Sequence, residues 1–386
     1  MEITIEKIIY PGKSLGLSNA KTILTDEGIP GEIVEITPLR EKKNYIEAKT
    51  IKIIKPSPYR IAPKCAHYKI CSPYQYIDYK TQLSIKESQL KEIFPGMPIS
   101  IISSPEIWAY RNKIKLNVIW DNKKAFLAYH APESRQEFIQ IDSCYLVSEN
   151  INKLLASFIR AVNQENLTSI KEIEVKESHA SKKLMFTIKP FIKIGEIQNS
   201  PYIEETAAGK TFRIGPESFF QVNVPILEIA LKEMQKFISP GKKETIADLY
   251  CGVGTFGIAL NNFAEKIIGI ESEPANISFL KTNLKLNNIE NFHLYEETCE
   301  KLFPMLMNKG IDILILDPPR KGLDNMLCQN ITLSSIKKIL YLSCNPSTLS
   351  RDLKILNHSY AVKTLQLFDF FPHTPHIETL AMLEKK

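Results

Sequence analysis

Two residues near the end of the chain, a cysteine and a glutamate, have surroundings that suit reactive groups. Cys344 follows a short apolar run and precedes the turn signal Asn345-Pro346. A cysteine on a sharp turn at a strand end can be presented into a cleft as a nucleophile, but the same pattern is common for a small core residue. Glu378 stands among histidines and aromatic residues, a setting that can raise the pKa of a carboxylate and make it a base.

A glycine-rich turn provides a candidate cofactor site. The segment Gly252-Val253-Gly254-Thr255-Phe256-Gly257 follows an apolar strand, opens a helix and has the form of a dinucleotide-binding fingerprint. Glu271 lies about 20 residues further on, where an acidic residue binds ribose hydroxyls. NAD and S-adenosylmethionine both contain adenosine, so the turn leaves both cofactors open, and a purely structural tight turn is a third interpretation.

The segment Asp317-Pro318-Pro319-Arg320 favours S-adenosylmethionine. An aspartate at a strand end, followed by two prolines, makes a rigid extended turn in which neither proline has a backbone donor. Such a loop can hold a planar base against the cofactor while Asp317 accepts hydrogen bonds. A dehydrogenase has no particular need for it, although a Pro-Pro turn can also simply end a strand.

These residues require a scaffold of strands and helices, and the sequence from about residue 216 onward predicts one. Apolar strands at 246–250, 266–271, 292–294, 311–317 and 338–343 alternate with helices that begin near 256 and span 275–286. Continuous apolar strands between helices indicate a buried, mostly parallel, doubly wound sheet of the Rossmann-like α/β class. Ligands bind outside the carboxyl ends of such strands, so Tyr250, Glu271, Asp317 and Cys344 should converge on one cleft.

The first third of the chain predicts a small basic β-barrel. Residues 1–55 alternate short β-branched runs with turn signals, and the stretch 46–53 could close a five-stranded barrel of the OB type. Residues 1–120 contain 18 Lys and Arg against 12 Asp and Glu, which accounts for the whole net charge of +6. A basic barrel is a common single-strand nucleic-acid platform, while a structural β cap with an ordinary basic surface is the alternative.

The domain organisation follows from these changes in pattern. We expect a β-barrel at 1–58, a central α+β domain at 59–215 and a catalytic domain at 216–386. The central domain should contain helices near 79–94 and 147–164, the first of which could pack on the catalytic domain, and strands at 113–119 and 183–189.

The composition predicts a cytoplasmic protein, since 44% of the residues are hydrophobic and 24% are charged. No apolar run approaches the roughly 20 residues of a membrane span, and the N-terminus lacks the pattern of a signal peptide. Seven cysteines without a secretory signal argue against a disulfide framework.

Together the motifs resemble one family. The chain is similar to the RNA uridine-C5-methyltransferases, the 23S rRNA and tRNA 5-methyluridine enzymes that use S-adenosylmethionine. The matching segments, in the family's order, are Phe219-Phe220-Gln221-Val222-Asn223, Asp248–Phe256, Asp317–Gly322, Ser343-Cys344-Asn345-Pro346 and His376-Ile377-Glu378-Thr379. The N-terminal part resembles the family's TRAM barrel through Pro30-Gly31-Glu32 and Pro56–Arg60.

The resemblance implies a role for each matched residue. Cys344 would add to carbon 6 of uracil, and Glu378 would remove the carbon-5 proton. The cofactor residues would be Gln221, Tyr250, Thr255, Glu271 and Asp317, with Glu297 favoured over Glu296 as the acidic residue after the third strand. The substrate would be a uridine extruded from structured RNA, with Phe371 either a wall of its pocket or a core residue.

Some members of the family hold a 4Fe–4S cluster through a Cys-x5-Cys-x2-Cys run and a later cysteine. Cys65, Cys71 and Cys144 match three of these positions, but the third position is Tyr74. Four thiolates are the usual requirement, so the cluster is either completed by a substitute such as His67 or lost, and zinc is a weaker option.

The sequence is therefore compatible with three classes of function. The leading one is an enzyme that makes 5-methyluridine in structured RNA, with rRNA preferred to tRNA as substrate, acting as a monomer without an obligate protein partner. The second is a non-catalytic RNA-binding or folding factor on the same scaffold, and the third is a nicotinamide dehydrogenase. The presence of both Cys344 and Glu378 argues against lost chemistry.

Overall fold

A computed structural model of the chain describes residues 1–18, 21–131, 137–191, 199–238 and 244–386. Contacts between Cα atoms divide it into two compact units. The first unit contains residues 1–101 and 371–377, and the second contains 102–370 and 378–386. The predicted three-domain division remains a prediction.

The first unit begins with the expected barrel. Its strands are β1 (Glu2–Ile9), β2 (Lys13–Ser18), β3 (Lys21–Thr25), β4 (Ile33–Glu41) and β5 (Tyr45–Lys55), closed in the order β1-β2-β3-β5-β4. Alternate side chains point inward, as the period of a strand requires, so Ile3, Ile5, Ile23, Val34 and Ile36 form the barrel core.

After the barrel the first unit is helical. It contains α1 (Tyr68–Cys71) and α2 (Tyr79–Ile93), and β6 (Ile99–Ile102) begins in it. The carboxylate of Asp78 caps α2 by accepting a hydrogen bond from the Thr81 amide. The segment 371–377 contacts this helix, because the Gln82 side chain accepts from the His373 amide at 2.9 Å.

The second unit opens with an antiparallel sheet covered by one helix. The elements are β7 (Lys113–Asp121), β8 (Lys124–His130), β9 (Phe138–Gln140), α3 (Glu149–Gln164), β10 (Glu172–Glu177) and β11 (Leu184–Lys189), with strand order β11-β10-β7-β8-β9. The buried face of α3 carries Ile151, Leu155, Phe158 and Val162, at the spacing of one helical stripe. A hairpin, β12 (Ile203–Ala207) and β13 (Lys210–Ile214), follows.

The rest of the second unit is built on a large sheet, in which seven strands run in the order β16-β15-β14-β17-β18-β20-β19. Its elements are α4 (Val224–Phe237), β14 (Thr245–Leu249), α5 (Thr255–Ala259), a 3₁₀ turn (Asn261–Phe263), β15 (Lys266–Glu271), α6 (Pro274–Leu286), β16 (Phe292–Glu296), α7 (Cys299–Leu306), β17 (Ile313–Leu316), α8 (Asn325–Leu333), β18 (Lys338–Ser343), α9 (Pro346–Leu356), β19 (Tyr360–Phe368) and β20 (Glu378–Lys385). The five strands from β14 to β18 are parallel, and β20 pairs antiparallel with both β18 and β19.

The predicted fold class, a small barrel and a central α+β region before a Rossmann-like sheet, is confirmed. β15 and β18 have the predicted bounds, and β14 and β17 differ from theirs by one or two residues. In the described part of the chain, no helix combines the length and the apolarity needed to span a bilayer.

Candidate active site

The carboxyl ends of four neighbouring strands meet at one edge of the sheet, and each carries a polar residue. Glu271 is the last residue of β15, Tyr250 follows β14, Asp317 follows β17 and Cys344 follows β18. The structure therefore brings these four predicted site residues to one edge, which is where ligands bind in sheets of this kind.

Cys344 and Glu378 face each other across an antiparallel pair. Ser343 on β18 is the register partner of Thr379 on β20, so the next residues at this end of the ladder are Cys344 and Glu378. Glu378 is buried, with 3% of its surface exposed, whereas Cys344 is half-buried. The turn after β18 thus places the thiol beside a carboxyl group that is shielded from solvent.

Burial controls the protonation of this pair. It raises the pKa of Cys344 to about 11, with further increases from the charges of Glu378 and Asp317. Burial and the charge of Asp317 also raise the pKa of Glu378 well above its ordinary value. Arg320 acts in the opposite direction on both groups, because its positive charge favours their anionic forms.

The loop that carries Asp317 and Arg320 is held by the start of α9. The Arg320 carbonyl accepts hydrogen bonds from Asn345 Nδ2 at 3.2 Å and Thr348 Oγ1 at 3.5 Å. Asn345 also caps α9 by accepting from the Ser347 amide. A single asparagine next to Cys344 therefore links the thiol turn to the Asp317 loop.

A second set of contacts, centred on Asp352, holds the far end of this loop. The fully buried carboxylate accepts hydrogen bonds from the Tyr341 hydroxyl at 2.7 Å and the Leu323 amide at 2.9 Å, and it pairs with Arg351. Arg351 in turn donates to the carbonyls of Lys321 and Leu323. Sequence reasoning missed Asp352, because an aspartate within a helix has no local signal for this role.

The glycine-rich turn is organised by two acids. Glu271 accepts hydrogen bonds from the amides of Gly252 at 2.8 Å and Glu273 at 2.7 Å. Asp248 accepts from the Gly257 amide at 2.8 Å, and burial raises its pKa to about 8. Gly252 has a φ of +58°, and a Cβ there would meet no atom within 4 Å, so the space beside the turn is open.

Gln221 and Tyr250 also lie at this edge of the sheet. Gln221 Nε2 donates to Asp317 Oδ2 at 3.3 Å, and burial raises the pKa of Asp317 to about 7. The Tyr250 hydroxyl donates to Glu300 Oε1 at 2.9 Å, which identifies Glu300, a residue that sequence reasoning missed, as a neighbour of the site. Thr255 is buried at the start of α5, directly after the glycine-rich turn.

The acidic residue after the third parallel strand is less closely tied to the site. Glu297 is half-buried and pairs with Lys301 at 2.5 Å, which lowers the pKa of the carboxylate. Glu296 ends β16 and pairs with Lys281 at 2.5 Å. Both carboxylates pair with lysines on neighbouring helices, so a cofactor role for Glu297 remains a prediction.

The residues at this edge suit S-adenosylmethionine. Carboxylates at the ends of β15 and β17 can accept hydrogen bonds from ribose hydroxyls and from an amino group, and Gln221 offers an amide beside them. The open space next to Gly252 leaves room for a ligand against the turn. The chemistry of the donor set therefore fits this cofactor.

The cysteines do not fit an iron–sulfur cluster. Tyr74, at the third ligand position, is buried among Ile8, Ile29, Ile77 and Ile85, and its hydroxyl accepts a hydrogen bond from Gln89 Nε2 at 3.2 Å. Burial raises the pKa of this phenol, which opposes the anion that a metal would require.

The remaining thiols are engaged in other contacts. The Gln75 side chain bridges Cys65 and Ser72, donating at 3.3 Å and 2.6 Å. Cys144 is buried in the core of the antiparallel sheet. Within the described ranges, no group of three or more His, Cys, Asp and Glu side chains could hold a metal ion.

The fold and the strand-edge residues define a Rossmann-like methyltransferase. The family model described as tRNA (uracil-5-)-methyltransferase matches residues 195–386. A 23S rRNA (uracil(1939)-C(5))-methyltransferase of Vibrio cholerae is 27% identical over the whole chain and 96% of its own length. An uncharacterized RNA methyltransferase of Aquifex aeolicus is 30% identical over the whole chain and 99% of its own length.

A solved structure shows the same fold. The tRNA (uracil-54, C5)-methyltransferase of Pyrococcus abyssi, in complex with S-adenosyl-L-homocysteine, matches 99% of this chain and 100% of its own with a TM-score of 0.81 and 23% identity. The chain belongs to the RNA (uracil-5-)-methyltransferase family.

Proposed function

We propose that this enzyme transfers the methyl group of S-adenosylmethionine to carbon 5 of one class of uridine in structured RNA, with Cys344 as nucleophile and Glu378 as base. The observation that carries this proposal is the pairing of a half-exposed thiol with a buried carboxyl group at the edge that holds Asp317 and the glycine-rich turn. Neither an RNA-folding factor nor a dehydrogenase requires that pair.

The thiolate solves a problem of reactivity, because carbon 5 of uracil is a poor nucleophile. Addition of Cys344 Sγ to carbon 6 forms a carbon–sulfur bond and moves the ring electrons toward carbon 5, which becomes enolate-like. The cofactor supplies an electrophilic methyl sulfonium. Carbon 5 then takes the methyl group, and the departing thioether keeps the electron pair of the broken bond.

Glu378 completes the reaction. Its carboxylate removes the proton from carbon 5, the double bond between carbons 5 and 6 reforms, and the bond to Cys344 breaks to release the thiolate. The raised pKa of Glu378 suits this step, since a carboxylate that prefers its neutral form is a stronger base than one in water. Arg320 favours the thiolate before addition and after elimination.

A trapping experiment tests the covalent step. RNA containing 5-fluorouridine should give a stable protein–RNA adduct with the wild-type enzyme and cofactor, because the fluorine at carbon 5 cannot leave as a proton. Cys344→Ala should form no adduct and lose methyl transfer by at least about 10⁴-fold, while the matched control Cys65→Ala, also half-exposed, keeps both. Methyl transfer by Cys344→Ala would show that the proposed mechanism is wrong.

Ribosomal RNA is the proposed substrate class, supported by the full-length similarity to a 23S rRNA enzyme. A stacked uridine has to be extruded from its helix to reach Cys344. Mass spectrometry of rRNA and tRNA from cells with and without the protein should show that cells without it lack one 5-methyluridine in rRNA. If the 5-methyluridine is instead lost only from tRNA, the substrate is tRNA.

The proposed reaction uses S-adenosylmethionine and residues of this chain, and it involves no iron–sulfur cluster. Tyr74 supports that view, because a buried, hydrogen-bonded phenol replaces the third thiolate. Anaerobically purified enzyme should show no broad absorption near about 400 nm, the region of cysteine-ligated clusters. A band there that disappears when Cys65 and Cys71 are replaced would contradict this part of the proposal.

A further inference from the structure

Lys176 is a buried cation that the proposed reaction does not use. It lies on β10 in the antiparallel sheet, with 6% of its surface exposed. Its ammonium donates three hydrogen bonds to backbone carbonyls, those of Gly215 at 3.0 Å, Pro216 at 2.6 Å and Ser218 at 2.8 Å. An ammonium has three N–H donors, so this one directs all of them to a single four-residue segment.

That segment leads directly to Gln221. The last carbonyl bound by Lys176 belongs to Ser218, and Gln221, whose side chain donates to Asp317 at 3.3 Å, follows three positions later. Asn112, just before β7, holds the same stretch from the other end, donating from Nδ2 to the Gln221 carbonyl at 3.1 Å and from its amide to the Val222 carbonyl at 3.0 Å. The antiparallel sheet thus holds the backbone on both sides of Phe219.

The opposite end of the stretch is fixed to the large sheet of the second unit. Asn223 caps α4 and donates to the Phe370 carbonyl at 3.2 Å, just beyond β19. The residues from Gly215 to Asn223 therefore bridge the two sheets of the second unit, with the Gln221 side chain extending to Asp317. A connecting segment of this kind takes its shape from such external donors rather than from a regular backbone ladder.

We propose that Lys176 is a positioning residue for cofactor binding, which sets the backbone of residues 215–218 so that Gln221 reaches Asp317. This inference rests on the proposed function, since it assigns Gln221 and Asp317 to the cofactor. Lys176 touches neither reacting group and acts only through this segment. Three convergent carbonyls need a cation between them, and an uncharged side chain would leave buried acceptors without donors.

The charge of Lys176 provides a distinctive readout. Burial, together with the nearby charge of Lys113 on β7, lowers its pKa to about 8, while Glu174 on β10 and Glu217 in the segment oppose that shift. Above this pH the neutral amine has two donors for three carbonyls, so the segment should loosen and cofactor affinity should fall.

The contribution of Lys176 to global stability moves in the opposite direction. Between pH 8 and 10.5 the unfolded chain binds a proton at this lysine and the folded chain does not, so titration of Lys176 raises the free energy of unfolding as pH rises. Relative to Lys176→Arg, the wild type should therefore lose affinity above pH 8 without an added loss of stability, which distinguishes positioning from a structural role.

Calorimetric titration with S-adenosylmethionine tests the inference. At pH 7 Lys176→Met should weaken binding at least about tenfold, equal to about 1.4 kcal/mol, and raise the KM for the cofactor more than it lowers kcat. The control Lys115→Met, a half-exposed lysine on the same sheet paired with Glu172, should bind within about twofold of wild type. Wild-type affinity in folded Lys176→Met would overturn the inference.

The variant Lys176→Arg covers the case in which Lys176→Met does not fold. Arginine stays charged through pH 9, so the wild type should lose more affinity between pH 7 and pH 9 than Lys176→Arg does. The cofactor and Asp317 titrate in both proteins, so their effects on affinity cancel when the two proteins are compared. An equal loss in both would overturn the inference. Failure of the wild type to bind the cofactor at all would instead contradict the proposed function.

Discussion

At the residue scale, the Cys344–Glu378 pair combines two groups whose buried setting favours their neutral forms. Burial raises both pKa values, and the charge of Glu378 raises the pKa of Cys344 further. The proposed reaction needs a thiolate first and a carboxylate later, so a third group has to stabilise these anions. Arg320 is that group, since it favours both anions from the same loop that carries Asp317.

Replacing the base should separate the two halves of the reaction. Glu378→Gln keeps the size of the side chain but cannot take the carbon-5 proton, so addition and methyl transfer should proceed and elimination should stop. We expect a protein–RNA adduct that accumulates with unmodified RNA and carries the transferred methyl group, visible as a slowly migrating band on a denaturing gel. Multiple turnover should fall at least about 10²-fold. Full turnover by Glu378→Gln would assign the base to another residue.

The reactivity of Cys344 should respond to its neighbours in opposite directions. Arg320→Met removes a positive charge and should move the alkylation of Cys344 by iodoacetamide to higher pH. Glu378→Gln removes a negative charge at the pH where the thiol titrates, near 11, and should move it to lower pH. Peptide mass spectrometry resolves Cys344 from the other half-exposed thiols, Cys65 and Cys71, which serve as internal controls. Shifts of the same sign in both variants would contradict this electrostatic model.

At the element scale, α9 is the platform of the site. Its first residues hold the Arg320 carbonyl, and Asp352 and Arg351 hold the end of the same loop. Gly322 makes this close packing possible: it has a φ of +74°, and a Cβ would lie 2.6 Å from Asp352 Oδ2 and 2.8 Å from Arg351 Nη2.

A pair of glycine variants isolates this packing. Gly310 has nearly the same backbone, with a φ of +72°, but a Cβ there meets nothing within 4 Å. Gly310→Ala should cost only the backbone strain, about 1 kcal/mol. Gly322→Ala adds the clash with Asp352, so it should be destabilised by about 1–3 kcal/mol more and lower kcat about tenfold or more by displacing the loop. If Gly310→Ala and Gly322→Ala change the unfolding midpoint and kcat to the same extent, α9 does not position the loop.

Sequence patterns predicted the parallel strands well, because continuous apolar runs between helices have few alternative folds. The same patterns could not reveal that β20 inserts between β18 and β19, since antiparallel pairing at the edge of a sheet depends on long-range register. The placement of Glu378 beside Cys344 depends on that register.

The sequence also could not predict the role of Lys176. A lysine in an alternating strand normally faces solvent, and the carbonyls that Lys176 binds lie 39 to 42 residues away in the chain.

At the scale of the whole molecule, a basic N-terminal third precedes a remainder, residues 121–386, that has no excess charge. On β5 of the barrel, Lys49, Lys52 and Lys55 are exposed. The register of β5 against β4 shifts at Ile51 and again at Ile54, and these two bulges bring the three lysines to one face. Exposed Ile51 and Ile54 lie beside them. Lysines interleaved with apolar side chains suit an RNA backbone with an unstacked base, so we expect RNA to bind this face.

Charge removal on this face should weaken RNA binding in a salt-dependent way. The double variant Lys49→Gln/Lys52→Gln should raise the Kd for substrate RNA and reduce the slope of log Kd against log salt by about 1 for each phosphate that is no longer bound. Cofactor affinity should stay unchanged, because the proposed cofactor residues all lie in the second unit. The control Lys153→Gln/Lys236→Gln removes the same charge from exposed helical positions in that unit. Equal salt slopes for both double variants would show that the barrel face does not bind the RNA backbone, and that selection of the substrate lies elsewhere in the chain.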